Sequence, residues 1–384
     1  MLSLKKFVKN IIKSIIKNLL INTNYNNKSI IRNEYNFIPS YSNSKSNKSR
    51  YRDFNFPANY YISPHYAYKF ENVSLIGPYA IPVTSKGKII GQTFGNTLFK
   101  CIRRTINELG LISFFLLYIR ALLPFKKFDL DDGLHLVPRH GYGFNKPNYC
   151  HWMLENFPQL YCREYMPKSS KIIVNSRLTK WQLESFKLIN LDENNLFKHS
   201  KKKMSHVKNL YFSTMRSASS LGSDRDPKGR LWVASTLGHK SNLKVTKKRK
   251  VFLSRQNMPR GHITNMSDLK ALLDDFDIEI FNPGSISLKN DIDVFKNTEM
   301  IIAPHGAGMA NMLFAKNCHV IEIVCGKKLY TDFFYMTALE LDHTFETFFA
   351  EIDYTFTNEH IDIEEAWFVN TKKLRNIIKQ SLSC

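Results

Sequence analysis

Short apolar runs alternate with helical patterns between residues 251 and 324, and this alternation most constrains the fold. The predicted strands are 251–254, 278–281, 300–303 and 320–324, and the predicted helices are 267–275 and 288–297. This pattern is typical of a parallel α/β sheet covered by helices on both faces. Ligands of such sheets bind beyond the carboxyl ends of the strands. We therefore expect the loops after Ser254, Ala303 and Val324 to meet at one site.

The length and the charge of the chain limit how it can be organised. Its 384 residues exceed what one hydrophobic core usually serves, which predicts two domains and an appendage. The first fifty residues hold ten basic residues against one acid, Glu34, so they carry +9 of the formal net charge of +22. No basic motif interleaved with aromatic residues is present, so we expect no specific nucleic-acid partner.

Residues 1–21 combine apolar residues at helical spacing with a stripe of lysines on another face, Lys5, Lys9, Lys13 and Lys17. The lysines argue against a membrane span, and no small-residue cleavage site indicates a secretory signal. The segment predicts a basic amphipathic helix lying on an anionic membrane surface, or docked on its own protein or a partner. Residues 22–59, rich in Asn, Ser, Tyr and Lys, predict a flexible linker.

From residue 60 the pattern is that of a globular domain, with short strands near 73–76 and 88–90. Residues 111–123 form an apolar run that is interrupted by Arg120 and followed by Pro124. The run is too short to span a bilayer unaided, so it predicts a buried or interfacial helix. The six cysteines lack metal-ligand or C-x-x-C spacing, which indicates free thiols in a reducing compartment. Together with the basic segment 1–21, this predicts a cytoplasmic protein peripheral to the membrane.

The segment 301–311 reads IIAPHGAGMAN and is followed by a predicted strand that contains Glu322. A buried strand there runs into a turn with Gly306 and Gly308 and then into a short helix. Backbone N–H groups at a helix start can bind a phosphate, and His305 can donate a hydrogen bond to a diphosphate oxygen. By spacing alone, a strand, a glycine turn and a helix are equally compatible with a structural role.

The pattern P-H-G-A-G-x-x-N-x-L-F, followed by a strand ending in Glu, resembles the hallmark of glycosyltransferase family 61. That family includes plant xylosyl- and arabinosyltransferases, animal protein O-linked N-acetylglucosaminyltransferases and bacterial capsular-polysaccharide enzymes. The resemblance covers roughly residues 130–345. It implies that the residues of the glycine turn bind the donor, namely His305, Gly306, Ala307, Gly308 and Asn311. Glu322 would bind the ribose hydroxyls of the same donor.

Two further segments are similar to motifs of the same family. In the first, VFLSR at 251–255 leads to Arg260 and Asn265, and Arg255 and Arg260 would hold the donor diphosphate by bidentate hydrogen bonds. The second, NYCHWMLENFP at 148–158, resembles N-Y-x-H-W-x-x-D/E…P at a helix start. His151 and Glu155 share a helix face there and are the candidate catalytic bases. The alternative is a capped helix with a satisfied His and a surface Glu.

Three acid pairs have the D-x-D spacing that many glycosyltransferases use for a divalent ion: 224/226, 275/277 and 291/293. None lies beside the glycine turn in the sequence. We therefore predict no metal site and no required cofactor besides the nucleotide-sugar donor, while a divalent metal is not excluded.

The resemblance implies the GT-B architecture, in which two Rossmann-like domains face each other across a cleft that holds the active site. The predicted parts are an acceptor-side domain at 60–227, a sugar-nucleotide-binding domain at 228–350, and a segment at 351–384 whose helix packs back across the domains. The implied reaction moves a sugar, with inversion, from a nucleotide sugar to a hydroxyl of a glycan or glycoconjugate. The alternatives are a catalytically inactive, membrane-peripheral scaffold on the same fold and a polyanion-binding protein.

Overall fold

The computed structural model describes residues 60–91, 98–124, 127–137, 147–200, 202–214, 225–238, 248–256, 258, 260–325 and 333–382, and the backbone of four short strands before residue 56. The predicted helix at 1–21 lies outside the described residues. The chain divides into two units. Unit 1 comprises Met1–Tyr35 and Ser63–Ser217, and unit 2 comprises Asn36–Ile62 and Ala218–Cys384.

Eleven described strands precede residue 214. They are β1 Lys28–Arg32, β2 Tyr35–Phe37, β3 Lys48–Ser49, β4 Phe54–Asn55, β5 Tyr60–Ile62, β6 His65–Ile76, β7 Ile81–Thr84, β8 Leu130–His135, β9 Lys171–Asn175, β10 Leu196–His199 and β11 Ser205–Ser213. The α-helices of the same part are α1 Leu98–Leu109, α2 Leu111–Leu122 and α3 Lys180–Leu188. A helical turn at Tyr149–His151 continues through a π-type turn, Trp152–Asn156, into a 3₁₀ helix, Phe157–Tyr165.

The sheet of unit 1 has the strand order β1, β6, β11, β8, β9, β10, with β7 also paired to β6. Strands β11, β8, β9 and β10 are mutually parallel, whereas β6 pairs antiparallel with β1, β7 and β11. Strands β1 to β4 fall within the segment predicted as a flexible linker. Strand β1 is ordered there because the edge of β6 supplies its backbone hydrogen-bond partners.

The strands of unit 2 that follow residue 248 are β12 Arg249–Leu253, β13 His262–Ile263, β14 Glu279–Phe281, β15 Thr298–Pro304, β16 His319–Cys325, β17 Thr344–Ile352 and β18 Ala366–Phe368. The α-helices are α4 Pro227–Gly238, α5 Met266–Asp274, α6 Leu288–Lys296, α7 Phe333–Glu340 and α8 Thr371–Leu382. Three short 3₁₀ helices complete the described elements: Glu193–Asn195 in unit 1, and Ala307–Phe314 and Ile363–Glu365 in unit 2.

The sheet of unit 2 has the order β13, β18, β17, β16, β15, β12, β14. All neighbouring pairs are parallel except β17 and β18. Strands β15 and β16 are almost continuously buried, as central parallel strands covered on both faces must be. The predicted parallel α/β sheet at 251–324 is therefore confirmed, and the protein is a mixed α/β structure with two parallel-rich sheets.

The C-terminal helix begins at Thr371, because residues 363–368 form a 3₁₀ turn and β18 instead. Its Leu374 and Ile378 are fully buried in the core of unit 2, where they join Phe252, Ile302 and Trp367. The helix thus closes one face of the unit 2 sheet.

The apolar run at 111–123 is helix α2, which follows α1 after a bend of 113° at Gly110. Among the described residues no single helix is long and apolar enough to cross a membrane. The bent pair of α1 and α2 meets that criterion of length and composition only when the two helices are taken together.

Candidate active site

The glycine turn of unit 2 follows the buried strand β15. The backbone N–H of His305 extends the pairing with β16 by donating to Ile323 O over 2.8 Å. The chain then enters the 3₁₀ helix Ala307–Phe314, whose first turn is closed by Met309 N–H donating to Gly306 O over 3.0 Å. The strand, turn and short helix predicted from the sequence are present, with 3₁₀ rather than α geometry.

Asn311 supports this turn from inside. Its side chain is fully buried, and its Nδ2 donates to Gly308 O over 3.0 Å. The sequence places Asn311 among the donor-binding residues. In the structure its amide group holds the backbone of the turn in position, and donor binding by Asn311 remains a prediction.

Glycine is required at position 306 because another side chain lies very close to its Cα, not because of its backbone conformation. Its backbone is extended, with φ 170° and ψ 174°, which any residue adopts. However, a Cβ at this position would lie 1.5 Å from Arg255 Nη1 and 2.6 Å from Arg255 Cζ. At Gly308 a Cβ would meet Pro283 at 3.5 Å and Leu253 at 3.8 Å, which are ordinary van der Waals contacts. Only Gly306 therefore makes room for another part of the protein.

Arg255 follows β12 and is held by the loop that comes after it. Its Nε donates to the carbonyl of Arg260 over 3.0 Å. Gly261, with a positive φ of 63°, turns the chain, and its N–H donates to Glu365 over 3.2 Å. The half-exposed guanidinium of Arg255 is thus placed beside the glycine turn, while the Arg260 side chain is exposed.

The loops after β12 and β15 therefore meet, as parallel strand order predicts. The loop after β16, at 326–332, lies outside the described residues.

His305 is paired with Glu322 across neighbouring strands. His305 Nδ1 lies 2.6 Å from Glu322 Oε1, and the ring packs edge-on against Phe334 with centroids 5.2 Å apart. The Glu322 side chain is 2% exposed and that of His305 is 29% exposed. A carboxylate on Nδ1 selects the tautomer with the proton there. Glu322 lies within β16 rather than at its end, and its contact is with His305; ribose binding by Glu322 remains a prediction.

Unit 1 contains a second pair of the same kind. His151 Nδ1 lies 2.8 Å from Glu155 Oε2, and the two side chains are 26% and 1% exposed. The segment starts with Asn148, whose side chain accepts from His151 N–H. The following turn is of π type rather than α, yet it still brings residues 151 and 155 together. Glu155 is buried, so the surface position that the alternative gave it is wrong, whereas the capped helix start and the paired His151 of that alternative are present.

Residues 149–321 match the family model described as Glycosyltransferase 61. This segment is similar to glycosyltransferase family 61 domains, and the protein is a glycosyltransferase. The matched range includes His151, Glu155, Arg255 and His305, and ends one residue before Glu322. No curated protein matches the chain significantly. Enzymes of this class take a nucleotide-sugar donor and a glycan acceptor in general.

Aromatic side chains pack beside the His151–Glu155 pair and hold this segment in place. Trp152, adjacent to His151, is buried against Phe157, Phe186 and Trp181, and its Nε1 donates to Ser185 Oγ over 3.1 Å. A rigid backbone is thus provided for the His151 side chain.

Two residues that the sequence did not single out support the unit 2 site of this domain. Phe334 packs on the His305 ring, and Glu365 accepts from the N–H of Gly261. No local motif marks either residue, because both come from elements distant in sequence.

Three of the described acids of the D-x-D pairs have structural contacts. Asp226 accepts from Gly229 N–H at the start of α4, Asp275 pairs with Arg375, and the buried Asp291 accepts from Gly284 N–H over 2.8 Å. Asp224 lies outside the described residues. Within the described ranges, no group of three His, Cys, Asp or Glu side chains is arranged to hold a metal ion.

Proposed function

We propose that this glycosyltransferase moves a sugar, with inversion, from a nucleotide-sugar donor to a hydroxyl of a glycan or glycoconjugate. We further propose a GT-B architecture of two Rossmann-like domains, with the donor bound in 228–350 and the acceptor in 60–227. The observation that carries the proposal is the placement of Arg255 against Gly306, next to the His305–Glu322 pair.

In the proposed reaction the acceptor oxygen attacks the anomeric carbon, and the bond from that carbon to the diphosphate oxygen breaks. Negative charge then grows on the diphosphate. The guanidinium of Arg255 and Nε2–H of a protonated His305 would stabilise this charge, because preorganised donors act most strongly where charge develops in the transition state. Arg260, Ala307 and the N–H groups of the turn would add hydrogen bonds to the same phosphates.

The acceptor hydroxyl must lose a proton as it attacks. We assign this proton to Nε2 of His151, because Glu155 is buried and engaged at Nδ1, whereas the His151 ring is partly exposed. Glu155 then acts as a positioning residue that holds the tautomer and the ring orientation and stabilises the imidazolium. This assignment chooses between the two candidate bases predicted from the sequence.

The experiment compares Arg255→Ala and His305→Ala with Arg375→Ala, a matched control on the surface of unit 2. Purified proteins are screened against a panel of nucleotide sugars by calorimetry and thermal unfolding, since a true donor raises the melting temperature. We expect one donor to stabilise wild type and Arg375→Ala, with affinity at least about tenfold weaker for Arg255→Ala and His305→Ala. Normal donor binding by both variants would place the donor elsewhere.

The same panel tests the inactive-scaffold alternative. Donor binding without hydrolysis or transfer to any acceptor would favour a scaffold, and salt-dependent binding to polyanions without donor binding would favour a polyanion-binding protein.

For location, we propose that the protein is cytoplasmic and peripheral to a membrane, held through residues 1–21. The lysine stripe of that segment would meet anionic headgroups while its apolar face inserts. Deletion of residues 1–21 should lower the share of protein recovered with membranes and raise the soluble share, and unchanged membrane recovery would contradict the proposal.

A further inference from the structure

Helix α2 has two apolar faces, of which only one is used within the described part of the protein. Phe114 and Ala121 are buried in a core cluster with α1 and β7, and Tyr118 Oη donates to Gly87 O over 2.6 Å. These contacts anchor the helix in unit 1. The opposite face carries two groups of exposed apolar side chains. Those of the first group are between 53% and 77% exposed, and those of the second, which flank the first, are between 36% and 40% exposed. The first group is Ile112, Leu116, Ile119 and Leu123, and the second is Leu111, Phe115 and Leu122.

The exposed residues form one stripe, since positions 112, 115, 119 and 122, and likewise 112, 116, 119 and 123, follow one another at intervals of three or four. Single exposed apolar side chains are normal on protein surfaces. A contiguous apolar patch of this size marks an interaction with a protein or a membrane. Anchoring by Phe114 and Ala121 means that the stripe is presented by a fixed helix.

The charges of the helix pair indicate the kind of partner. Helices α1 and α2 together contain Lys100, Arg103, Arg104 and Arg120 and a single acid, Glu108. Lys100, Arg103 and Arg120 are exposed, and Arg120 lies on α2 itself. An apolar stripe on a helix pair with an excess of basic residues matches the interface of an anionic bilayer, where acyl chains lie beneath negatively charged headgroups.

We propose that the α1–α2 pair docks unit 1 onto an anionic lipid bilayer, with the exposed face of α2 inserted at the level of the headgroups. This surface extends the proposed membrane location from residues 1–21 to the folded part of the protein, and it does not rest on the donor site.

Charge also argues against two other occupants. Residues 1–21 contain five lysines and no acid, so this segment would place positive charge against the basic α1–α2 pair. A second copy of the chain would present the same basic helix pair. A bilayer containing anionic lipid is attracted by both basic surfaces at once.

The first test measures partition of the full-length protein onto vesicles of phosphatidylcholine containing about one quarter phosphatidylglycerol. The variant is Ile112→Ser with Leu116→Ser and Ile119→Ser. The control is Leu231→Ser with Ile280→Ser and Ile286→Ser, three residues of unit 2 that are between 41% and 61% exposed. All replaced side chains are largely exposed, so the melting temperature should change little in either protein.

We expect the α2 variant to lose at least about tenfold in partition coefficient, although residues 1–21 are intact, because three inserted side chains no longer leave water. The control should bind as wild type does. Partition of the α2 variant within about twofold of wild type would overturn the proposal. The membrane role of residues 1–21 would survive that result, since its own test is their deletion.

The second test reports the environment of α2 directly. An NBD fluorophore is attached at Ile119→Cys in a Cys384→Ser background, with Leu231→Cys as the control site. The remaining cysteines, Cys101, Cys150, Cys162, Cys318 and Cys325, are buried, and burial raises the pKa of the Cys162 thiol to about 12, so they react slowly.

We expect a blue shift of the Ile119→Cys emission with anionic vesicles, a smaller shift with phosphatidylcholine alone, and none at Leu231→Cys. A blue shift that depends on protein concentration without vesicles would identify a second copy as the occupant and overturn the proposal. Emission that is already blue in dilute solution without vesicles would identify part of this chain as the cover and also overturn it.

Discussion

Arg255 and Gly306 are in such close contact that a Cβ at residue 306 would lie 1.5 Å from Arg255 Nη1. The first residue follows β12 and the second follows β15, two strands that pair in parallel. The glycine in the turn is therefore coupled to the arginine of a different motif, and the two motifs form a single structural feature.

This coupling predicts a non-additive pair of substitutions. Gly306→Ala should weaken donor affinity at least about tenfold, because the new methyl group displaces the guanidinium. In an Arg255→Ala background the same substitution should have little further effect, since the space is already vacant. Donor calorimetry on the two single variants and the double variant measures the coupling. Gly308→Ala is the matched control, because its Cβ meets only ordinary contacts, and its effect should be the same in both backgrounds. Additive losses for Gly306→Ala would show that it acts independently of Arg255.

The His151–Glu155 pair predicts a separation of transfer from donor binding. His151→Ala should slow single-turnover transfer by about 10²–10⁴-fold, the usual cost of a lost general base. Glu155→Gln should slow transfer less, because the amide oxygen can still accept from Nδ1–H but no longer carries charge. Both variants should bind the donor as wild type does, since the pair lies outside the predicted donor domain. Wild-type transfer by His151→Ala would refute the base assignment.

The site also predicts limited dependence on divalent metal. Arg255 and His305 can neutralise the leaving diphosphate, and Asp226, Asp275 and Asp291 of the D-x-D pairs are engaged in a helix cap, an ion pair and a turn. Transfer measured in chelator should retain most of its rate. Complete loss that manganese or magnesium restores would show that a metal performs this role instead.

Strands β12, β14, β15 and β16 of the C-terminal half could be predicted because they are short apolar runs between helical patterns, whereas β13, β17 and β18 of the same sheet were not predicted. Strand β6 in unit 1 was foreseen only near residues 73–76, whereas it extends over His65–Ile76. Lys69, Glu71 and Asn72 interrupt its apolar pattern, and its pairing with both β1 and β11 supplies the order that local sequence does not indicate. The predicted strand near 88–90 is reduced to an isolated bridge between Val83 and Ile89.

The candidate site could be predicted as a set of residues but not as a set of contacts. Glu322 lies opposite Ala303 in the register of β15 and β16, and this register brings its carboxylate to His305. Neither strand alone specifies that register. The sequence likewise indicated a need for glycine at both 306 and 308, while only the three-dimensional approach of Arg255 distinguishes them.

A buried ion cluster in unit 2 predicts a large effect on stability. Glu340 is paired with Arg225 and Arg230, and all three side chains are at most 1% exposed. Glu340→Gln should lower the free energy of unfolding by about 3–5 kcal/mol, because two buried guanidinium groups lose their counter-charge. The matched control is Glu279→Gln, which breaks a half-exposed pair with Arg249 and should cost about 1 kcal/mol or less. Denaturant unfolding of both variants makes the comparison, and equal losses would contradict the structural role of the cluster.

His199 predicts how the stability of unit 1 depends on pH. Its Nε2–H donates to Gly77 O and its Nδ1 accepts from Ser205 Oγ, each over 2.9 Å, so the folded protein holds the neutral ring. Burial lowers the pKa of His199 to about 4, whereas an unfolded histidine titrates near about 6.5. Between these values the unfolded state binds one more proton than the folded state. The stabilising contribution of the neutral His199 ring is therefore fully present above about pH 6.5. As the pH decreases from there towards 4, this contribution to the free energy of unfolding falls by about 1.4 kcal/mol per pH unit.

Removing the titrating ring tests this dependence. His199→Gln should be less stable than wild type at neutral pH, because its amide reproduces the two hydrogen bonds imperfectly. Between pH 6.5 and 4 the free energy of unfolding of this variant should fall less steeply than that of wild type, because its unfolding takes up one proton fewer. His319 and His343 remain in both proteins, and burial lowers the pKa of each, so their contributions cancel in the difference. Hydrogen exchange of the β8 and β11 amides across this pH range, corrected for intrinsic exchange rates, measures the stability of unit 1. Identical pH slopes for the two proteins would mean that His199 does not set the acid limit of unit 1.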